Sequence, residues 1–292
     1  MPKVRKFIYD LFDGFASDGY EYFKLDFLGA TCRARQFTDK TVGRGRLMEY
    51  TIGIAREATR GRAQILGCNY MYCGGQAPVD MVRVGGDIHA RWTSIKSNTP
   101  SVAMRFWANK KLWVNDPDFA LARSFDTADD PALTQMLCCL VYVRPEETDP
   151  DFELGKWKLV DIRREQAEVL LSVVIAAGGA VNLSDKMTRL NEAGLDMARR
   201  TVAAESGEAA IPLDMFTSAI PKYWVQKVGA AKRRVLMVNW EDAPSVLRMD
   251  LKKLGVEGRN YRNFWNDSPV RVKNGILEEE LAPRSCLFVE IS

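Results

Sequence analysis

Histidine is almost absent from this 292-residue sequence, in which His89 is the only one. A Ser-His-Asp triad or a histidine-rich metal centre would have to rest on that residue alone. The six cysteines do not form the paired CxxC spacing of a zinc site, and their apolar surroundings are typical of free thiols in a reducing compartment. We therefore expect no metal and no other cofactor.

A charge imbalance and a long apolar run are also missing. The 41 basic residues are nearly matched by 38 acidic ones, and the net charge of +3 argues against a nucleic-acid partner. No apolar run reaches the ~20 residues that a membrane helix needs. Because the N-terminus leads into an amphipathic helix and shows no secretory signal, we expect no membrane partner and a cytoplasmic location.

Residues 1–210 alternate short apolar runs with longer amphipathic stretches. The short runs have the length of buried strands, and the apolar residues of the longer stretches recur at helical spacing. This alternation predicts an α/β fold with a parallel sheet. The predicted strands are Tyr22–Phe27, Ala63–Cys68, Val79–Val84, Lys111–Val114 and Ala180–Leu183, and the predicted helices are Val4–Phe15, Thr41–Ala58, Ile88–Asn109, Arg163–Ala177 and Glu192–Glu205.

The pattern changes at two places. The segment from Ser124 to Leu159 is an acidic, irregular insert, and from Ala209 to Pro221 a proline-containing linker follows the last predicted helix. Beyond this linker, short β runs with turn residues between them continue to Ile291. These runs predict an all-β module, with a sandwich as its architecture.

Acidic residues stand at the ends of several predicted strands. Asp26 ends the first strand, Asp87 follows the third, and the run from Asn115 to Asp118 follows the fourth. An open doubly wound sheet uses one or two such strand ends, whereas a (β/α)₈ barrel brings most of them to one axial pocket. Paired carboxylates without histidine or metal are the chemistry of glycoside hydrolysis.

The order and content of these motifs resemble the melibiase-type retaining α-galactosidases. The matching stretches are Phe23–Leu28 (FKLDFL), Leu66–Cys68 (LGC), Val79–Ile88 (VDMVRVGGDI) with Trp92, Trp113–Phe119 (WVNDPDF), and the segment from Pro212 to Trp240. They cover nearly the whole chain in the family's order. Lys-x-Asp, Arg-x-x-Gly-Asp-Ile and Asn-Asp-Pro-Asp are quite specific together, although each alone would be weak.

The resemblance implies a role for each candidate residue. Asp26 is the nucleophile that forms the covalent glycosyl-enzyme, and Asp87 is the general acid for the leaving group and then the general base for water. Lys24 and Arg83 bind sugar hydroxyls. The other predicted substrate-binding residues are Cys68 and Asn69, on the pocket floor, and Trp92.

Each candidate also has a structural alternative. Lys24 can be a strand-edge lysine, Arg83 can form a structural bridge with Asp80 or Asp87, and Trp92 can be a core residue. Other conspicuous residues favour a structural role: Trp113 suits the core as well as stacking, Asp116 and Asp118 suit a turn or cap, His89 suits packing at a helix start, and Asp185 suits a helix cap.

The predicted strands supply only about five of the eight βα units of a (β/α)₈ barrel. In the family, a β domain and the first barrel strands precede the matching part. We therefore predict a partial TIM barrel over residues 1–210, without its N-terminal strands and open beside the Asp26 strand, then a small all-β sandwich domain over residues 211–292. Such a chain is a fragment, or its barrel is completed by a companion chain or a homo-oligomer.

The leading functional hypothesis is retaining hydrolysis of terminal α-galactosides, with an α-galactoside saccharide as substrate. A second hypothesis is a related α-glycosidase or transglycosylase, acting on α-N-acetylgalactosaminides or transferring galactosyl groups. A third is an inactive fragment or a non-catalytic carbohydrate-binding protein. The joint presence of Asp26 and Asp87 argues against a binding module, which has no need of two carboxylates.

Overall fold

The computed structural model describes residues 2–36, 40–70, 79–129 and 160–292. Their contacts divide the chain into one unit of residues Met1–Val84 and Ala108–Asp116 and a second unit of residues Gly85–Trp107 and Pro117–Ser292. Most of the loop predicted from Asn69 to Pro78 and of the predicted insert lies outside the described residues, as do Cys73, Cys138 and Cys139.

The first unit consists of helices next to a parallel sheet. Its helices are α1 (Pro2–Ser17), α2 (Gly29–Cys32) and α3 (Arg44–Ala58), and its strands are β1 (Tyr22–Leu25), β2 (Gln64–Gly67), β3 (Met81–Arg83) and β4 (Val114–Asp116). The strands pair in the order β1-β2-β3-β4, and all three pairings are parallel. The α/β class predicted from the alternating pattern is therefore confirmed.

One face of this sheet packs against α1. The rings of Phe12 in α1 and Phe23 in β1 meet edge to face, with their centroids 5.2 Å apart. Because side chains alternate along a strand, Phe23 and Leu25 share this helix-covered face, and Lys24 lies on the opposite one. Ion pairs between Arg5 and Glu57 and between Arg60 and Asp13 join α1 to the end of α3.

The register of the sheet sets which residues stand side by side. Leu25, Gly67, Val82 and Asn115 form one row across the four strands. Among the strands that the structure describes, β1 lies at the end of the sheet and pairs only with β2. An open edge beside the strand of Asp26 was expected from the sequence, and the described part of the chain has it.

In the described part of the chain, the second unit contains three α-helices together with parallel and antiparallel strands. The helices are α4 (Trp92–Met104), α5 (Arg164–Ala177) and α6 (Glu192–Ala203), and the parallel pair is β5 (Phe119–Ala120) and β6 (Asn182–Leu183). The antiparallel strands are β7 (Ile211–Pro212), β8 (Tyr223–Val228), β9 (Lys232–Asn239), β10 (Ser245–Asp250), β11 (Tyr261–Asn263), β12 (Val272–Lys273), β13 (Ile276–Leu281) and β14 (Ser285–Ile291).

The antiparallel strands form two sheets, ordered β11-β14-β9-β8-β7 and β10-β13-β12. Alternating apolar residues of both sheets meet in one buried cluster, which includes Val235 and Met237 of β9 and Leu247 and Met249 of β10. The five-stranded sheet begins at Ile211, next to the predicted boundary between residues 210 and 211. The two-domain division at that boundary stays a prediction.

Several predicted bounds shift for local reasons. Helix α4 begins at Trp92, four residues after the predicted start, where the carboxylate of Asp161 accepts the N–H of Trp92 at 2.7 Å. Strand β4 begins at Val114, three residues after the predicted start, because a turn at Lys110 with φ of +58° precedes it. Both shifts follow from contacts or backbone geometry that hydrophobic periodicity does not encode.

The predicted helix cap at Asp185 is wrong. Asn191 caps α6, because its side chain accepts the N–H of Gly194 at 3.1 Å. Asp185 instead accepts the N–H of Ala122 at 2.5 Å and pairs with Arg123 at 2.8 Å, which joins the segments after β5 and β6. Burial raises the pKa of the Asp185 carboxyl, while Arg123 and the Ala122 N–H lower it.

Candidate active site

The carboxyl ends of β1 to β4 place four polar side chains in one row. Asp26 and Cys68 follow directly after Leu25 and Gly67, which are paired, and Arg83 stands in register with Asp116. Because Gly67 is also paired with Val82, the next residues along the three strands are Asp26, Cys68 and Arg83. Their side chains lie on the sheet face opposite the one that packs against α1.

Lys24 lies on the same face as Asp26, since two residues separate them along an extended chain. Both side chains are exposed among the residues that the structure describes. The strand ends directly after Asp26, where Phe27 adopts a left-handed φ of +53° and donates its N–H to the Asp26 carboxylate at 2.6 Å. This bond holds the carboxylate at the end of β1.

The pKa of the Cys68 thiol reflects the charges on this face. Burial raises its pKa to about 11, Lys24 and Arg83 lower it, and Asp26 and Asp116 raise it. All four charged residues therefore lie close enough to act on one buried group. The thiol stays protonated at neutral pH, so it is a neutral part of the pocket wall and not a nucleophile.

Tyr22 belongs to the same face, although the sequence did not single it out as a site residue. Burial raises its pKa to about 12, and Asp116 and Cys68 raise it further. Its hydroxyl stays neutral and can donate a hydrogen bond. The signal for it was the alternation of Tyr22, Lys24 and Asp26 along β1.

Asp116 also belongs to this face, although sequence analysis did not name it as a site residue. It was expected to be structural, within the Asn115–Asp118 turn. It is 1% exposed, and its register with Arg83 places it in the charged row at the carboxyl end of β4. Sequence analysis counted the Asn115–Asp118 run among the acidic strand ends but assigned Asp116 to a turn or cap.

Asn69 follows Cys68 and adopts a left-handed φ of +53°. Its side chain lies against Gly29, where a Cβ atom would come within 2.6 Å of the Asn69 Oδ1 atom. The absence of a side chain at Gly29 therefore allows the loop after β1 to approach the loop after β2. Asn69 itself is exposed, as a residue on a pocket floor requires.

Asp87 belongs to the second unit, in the loop before α4. Its side chain is exposed, and its main-chain carbonyl accepts the Ser94 hydroxyl at 3.3 Å. The Ser94 oxygen also accepts the N–H of His89 at 2.9 Å. The buried carboxylate of Asp118 accepts the N–H of Ile88 at 2.7 Å. The residue after Asp87 is therefore anchored from the segment that follows β4.

A second contact fixes the backbone just before Asp87. A Cβ atom at Gly85 would come within 2.0 Å of the Oδ1 atom of Asn98, whose Nδ2 group donates to the carbonyl of Pro117 at 3.0 Å. Any side chain at Gly85 would displace Asn98 from this bond. The backbone around Asp87 is thus fixed by α4 and by the Pro117–Asp118 segment.

We expect Asp118→Ala to lower the free energy of unfolding by about 1–3 kcal/mol, because it leaves the buried N–H of Ile88 without its acceptor. Equilibrium denaturation in urea measures this change. Asp118→Asn retains an acceptor oxygen and serves as the matched control, with a smaller loss expected. Equal losses for the two variants would show that the bond to Ile88 is not the reason.

Trp92 lies in the core of the second unit. It is 4% exposed, and its ring stacks at a tilt of 31° against Trp240, with centroids 5.4 Å apart. This packing agrees with the structural alternative considered for Trp92. A contact of Trp92 with substrate stays a prediction.

Other structural alternatives can also be compared with the described contacts. Asp80 accepts from Arg56 at 2.6 Å and from the N–H of Ile65 at 2.7 Å, and an odd separation along the chain puts it on the face opposite Arg83. Trp113 is buried beside Tyr70 and donates to Asn115 at 3.1 Å, which agrees with a core role.

The first unit thus collects Lys24, Asp26, Cys68, Asn69 and Arg83 on or beside one strand-end face. Asp87 and Trp92 belong to the second unit. Within residues 2–36, 40–70, 79–129 and 160–292, no three His, Cys, Asp or Glu side chains are grouped as a metal ion would need. None of the described helices has the length and apolar character to cross a bilayer.

The fold is similar to that of several solved glycosidases. A GH27 β-L-arabinopyranosidase from Geobacillus stearothermophilus superposes with a TM-score of 0.68 at 16% identity, over 99% of this chain and 61% of that one. For α-galactosidase I from Mortierella vinacea the TM-score is 0.63 at 10% identity, over 96% and 70%. For an isomalto-dextranase from Arthrobacter globiformis it is 0.63 at 14% identity, over 99% and 48%.

These likenesses confirm, for the fold, the resemblance to the α-galactosidase family that the motifs predicted. No protein-family model matches the sequence. The chain spans about three-fifths of the length of the arabinopyranosidase that it matches.

Proposed function

We propose that this chain carries the strand-end carboxylates of a retaining glycoside hydrolase that acts on terminal α-galactosides. Asp26 is the nucleophile, and Asp87 is the acid that protonates the leaving oxygen and then the base that activates water. The observation that carries the proposal is the row of Asp26, Cys68, Arg83 and Asp116 at the carboxyl ends of adjacent parallel strands, where barrel enzymes hold their catalytic groups.

The contacts of the first unit support a role for Asp26 in nucleophilic attack. The N–H of Phe27 donates to the Asp26 carboxylate at 2.6 Å and holds it in place. The Asp26 side chain is exposed in the described part of the chain, so a ligand can reach it. Lys24 and Arg83 supply donors for sugar hydroxyls on the same face. The neutral hydroxyl of Tyr22 is a further donor, and the Cys68 thiol adds no charge.

The finer architecture is part of this proposal. The four-stranded sheet and the β5-β6 pair are portions of a (β/α)₈ barrel, and the antiparallel sheets form a C-terminal β-sandwich domain. Among the described strands, β1 stands at the end of the four-stranded sheet, and this is the edge at which further barrel strands would pair.

The test is hydrolysis of 4-nitrophenyl α-galactoside by the 292-residue chain, with the product anomer followed by proton NMR. A retaining enzyme releases α-galactose first, and β-galactose as the first product would contradict the covalent route. Release of 4-nitrophenol from none of the tested glycosides would contradict the proposal as a whole.

One neighbouring substrate class belongs in the same assay. A β-L-arabinopyranoside has the ring of an α-D-galactoside without its hydroxymethyl group, and the fold is similar to that of a β-L-arabinopyranosidase. Faster hydrolysis of 4-nitrophenyl β-L-arabinopyranoside than of the galactoside would favour this second specificity. Parallel assays with α-N-acetylgalactosaminide and α-glucoside complete the comparison.

A further inference from the structure

A cleft of about 630 Å³ opens in the antiparallel part of the second unit, and none of the predicted site residues lines it. Strands β9, β11 and β14 and the turn around Pro269 form its walls. Its lining carries five cationic side chains, Lys232, Arg233, Arg234, Arg259 and Arg262. Two carboxylates, Asp267 and Glu290, face them. A main-chain carboxylate at Ser292 would still leave two cations in excess.

Part of this charge is neutralised within the protein. Arg234 is 2% exposed and is held by Glu290 at 2.8 Å and by the carbonyl of Glu205 at 2.8 Å. Lys232 pairs with Glu205 at 2.7 Å. Arg234 and Lys232 are therefore paired within the protein. The other arginines of the lining are left to bind a ligand.

Of the other three arginines in the lining, Arg233 donates to the main-chain carbonyls of Ala230 and Lys232 at 3.4 and 2.8 Å. Arg259 and Arg262 make weaker contacts within the protein. Arg259 is exposed and makes no ion pair with any residue in the described part of the chain. Arg262 is 62% exposed by side chain and reaches Asp267 only at 3.4 Å, while Arg200 holds the same carboxylate at 2.8 Å. The shared carboxylate cannot neutralise both arginines.

The backbone that carries these arginines is fixed. The N–H groups of Arg259 and Asn260 donate to the main-chain oxygen of Ser292 at 2.7 and 2.9 Å, and Tyr261 pairs with Ile291 in the β11-β14 ladder. These bonds hold the backbone positions from which both arginine side chains extend into the cleft lining. A guanidinium fork matches the geometry of a carboxylate with two parallel hydrogen bonds.

The rest of the lining suits a sugar. Asn260 adds an amide and Pro269 adds apolar area, while Tyr261 and Val270 reach the lining from side chains that also pack against the buried cluster. The volume lies within the range of small-molecule sites and exceeds what a single phosphate or sulfate ion fills. We propose that this cleft binds an acidic saccharide through the ring carboxylate of a uronic acid, held by Arg259 and Arg262, as a second binding site beyond the proposed catalytic one.

Calorimetric titration of the 292-residue chain with tri-α-galacturonate tests the proposal. We expect saturable binding, and binding about 10- to 100-fold weaker for the fully methyl-esterified trisaccharide, which keeps the sugar rings and loses the charge. Inorganic sulfate is the second arm. Sulfate binding as tight as that of the trisaccharide would overturn the saccharide assignment and leave a simple anion site.

The variant Arg259→Gln/Arg262→Gln is expected to weaken trigalacturonate binding by the same 10- to 100-fold. Its matched control, Arg248→Gln/Lys273→Gln, removes two charges from exposed positions outside the cleft and is expected to bind as the wild type does. Arg259→Lys keeps the charge without the fork and is expected to lie between them. Unchanged binding in the first variant, or equal losses in the control, would overturn the site. Because the titration measures no hydrolysis, its result is independent of the catalytic proposal.

Discussion

Asp26→Ala is expected to lower kcat for 4-nitrophenyl α-galactoside by on the order of 10⁴-fold or more, as removal of a covalent nucleophile does in other enzymes. The carboxylate at the end of β1 forms the bond to the anomeric carbon, and no other carboxylate lies at the end of this strand. Its removal therefore leaves no group to form the glycosyl-enzyme on that side of the sugar.

Azide gives this variant a diagnostic product. A small anion can enter the space that the Asp26 carboxylate vacates and attack the anomeric carbon from the same side. Rescue by azide is expected to yield β-galactosyl azide, whose configuration is inverted relative to the substrate. Wild-type activity in Asp26→Ala would contradict the nucleophile assignment, as would an α-galactosyl azide product.

The matched control for Asp26 is Asp10→Ala. Asp10 is an exposed carboxylate of the first unit, and its ion pair with Lys6 at 2.6 Å joins neighbouring turns of α1. A surface pair of this kind contributes about 0–1 kcal/mol to stability. Asp10→Ala is therefore expected to retain wild-type kcat, and a comparable loss in both variants would indicate general damage to the fold.

The hydrophobic periodicity of the sequence was sufficient to predict the strands and helices that position Asp26. The alternation of apolar and amphipathic segments predicted β1 to β4 in order. The residues of β1 are exposed or half-buried in the described chain, whereas the sequence predicted a buried strand. The resemblance of the motifs to α-galactosidases supplied the roles, which no spacing of carboxylates along a chain can supply. The row of Asp26, Cys68 and Arg83 depends on register, and register depends on pairing between segments far apart in sequence.

Three residues have surroundings that the sequence alone does not show. Asp185 carries the composition of a helix cap, but its partners are Ala122 and Arg123, more than sixty positions away in the sequence. Asp116 was interpreted as structural because Asp-Pro-Asp favours a tight turn and a helix cap. Trp92 has the aromatic character of a sugar platform, and only the structure shows Trp240 against its ring. Contacts across long separations in sequence decided all three.

Asp87→Ala is expected to affect the two chemical steps differently, and this contrast makes it the sharpest test of the acid–base assignment. Loss of a general acid or base lowers rates by about 10²- to 10⁴-fold. An aryl galactoside whose leaving group needs no proton, such as the 2,4-dinitrophenyl compound, is expected to react with Asp26 at nearly the wild-type rate. Hydrolysis of the intermediate stays slow, because Asp87 no longer activates water.

The galactosyl-enzyme should therefore accumulate in Asp87→Ala, and intact-protein mass spectrometry should show one added hexosyl group, located on Asp26 by peptide mapping. Azide needs no base and attacks this intermediate from the face opposite Asp26, so the expected product is α-galactosyl azide, the opposite anomer from that of Asp26→Ala. Asp242→Ala, which removes an exposed carboxylate of the second unit, is the control. Equal losses for the dinitrophenyl and nitrophenyl substrates, or a β-azide product, would remove Asp87 from the acid–base role, because a missing proton donor must matter more for the poorer leaving group.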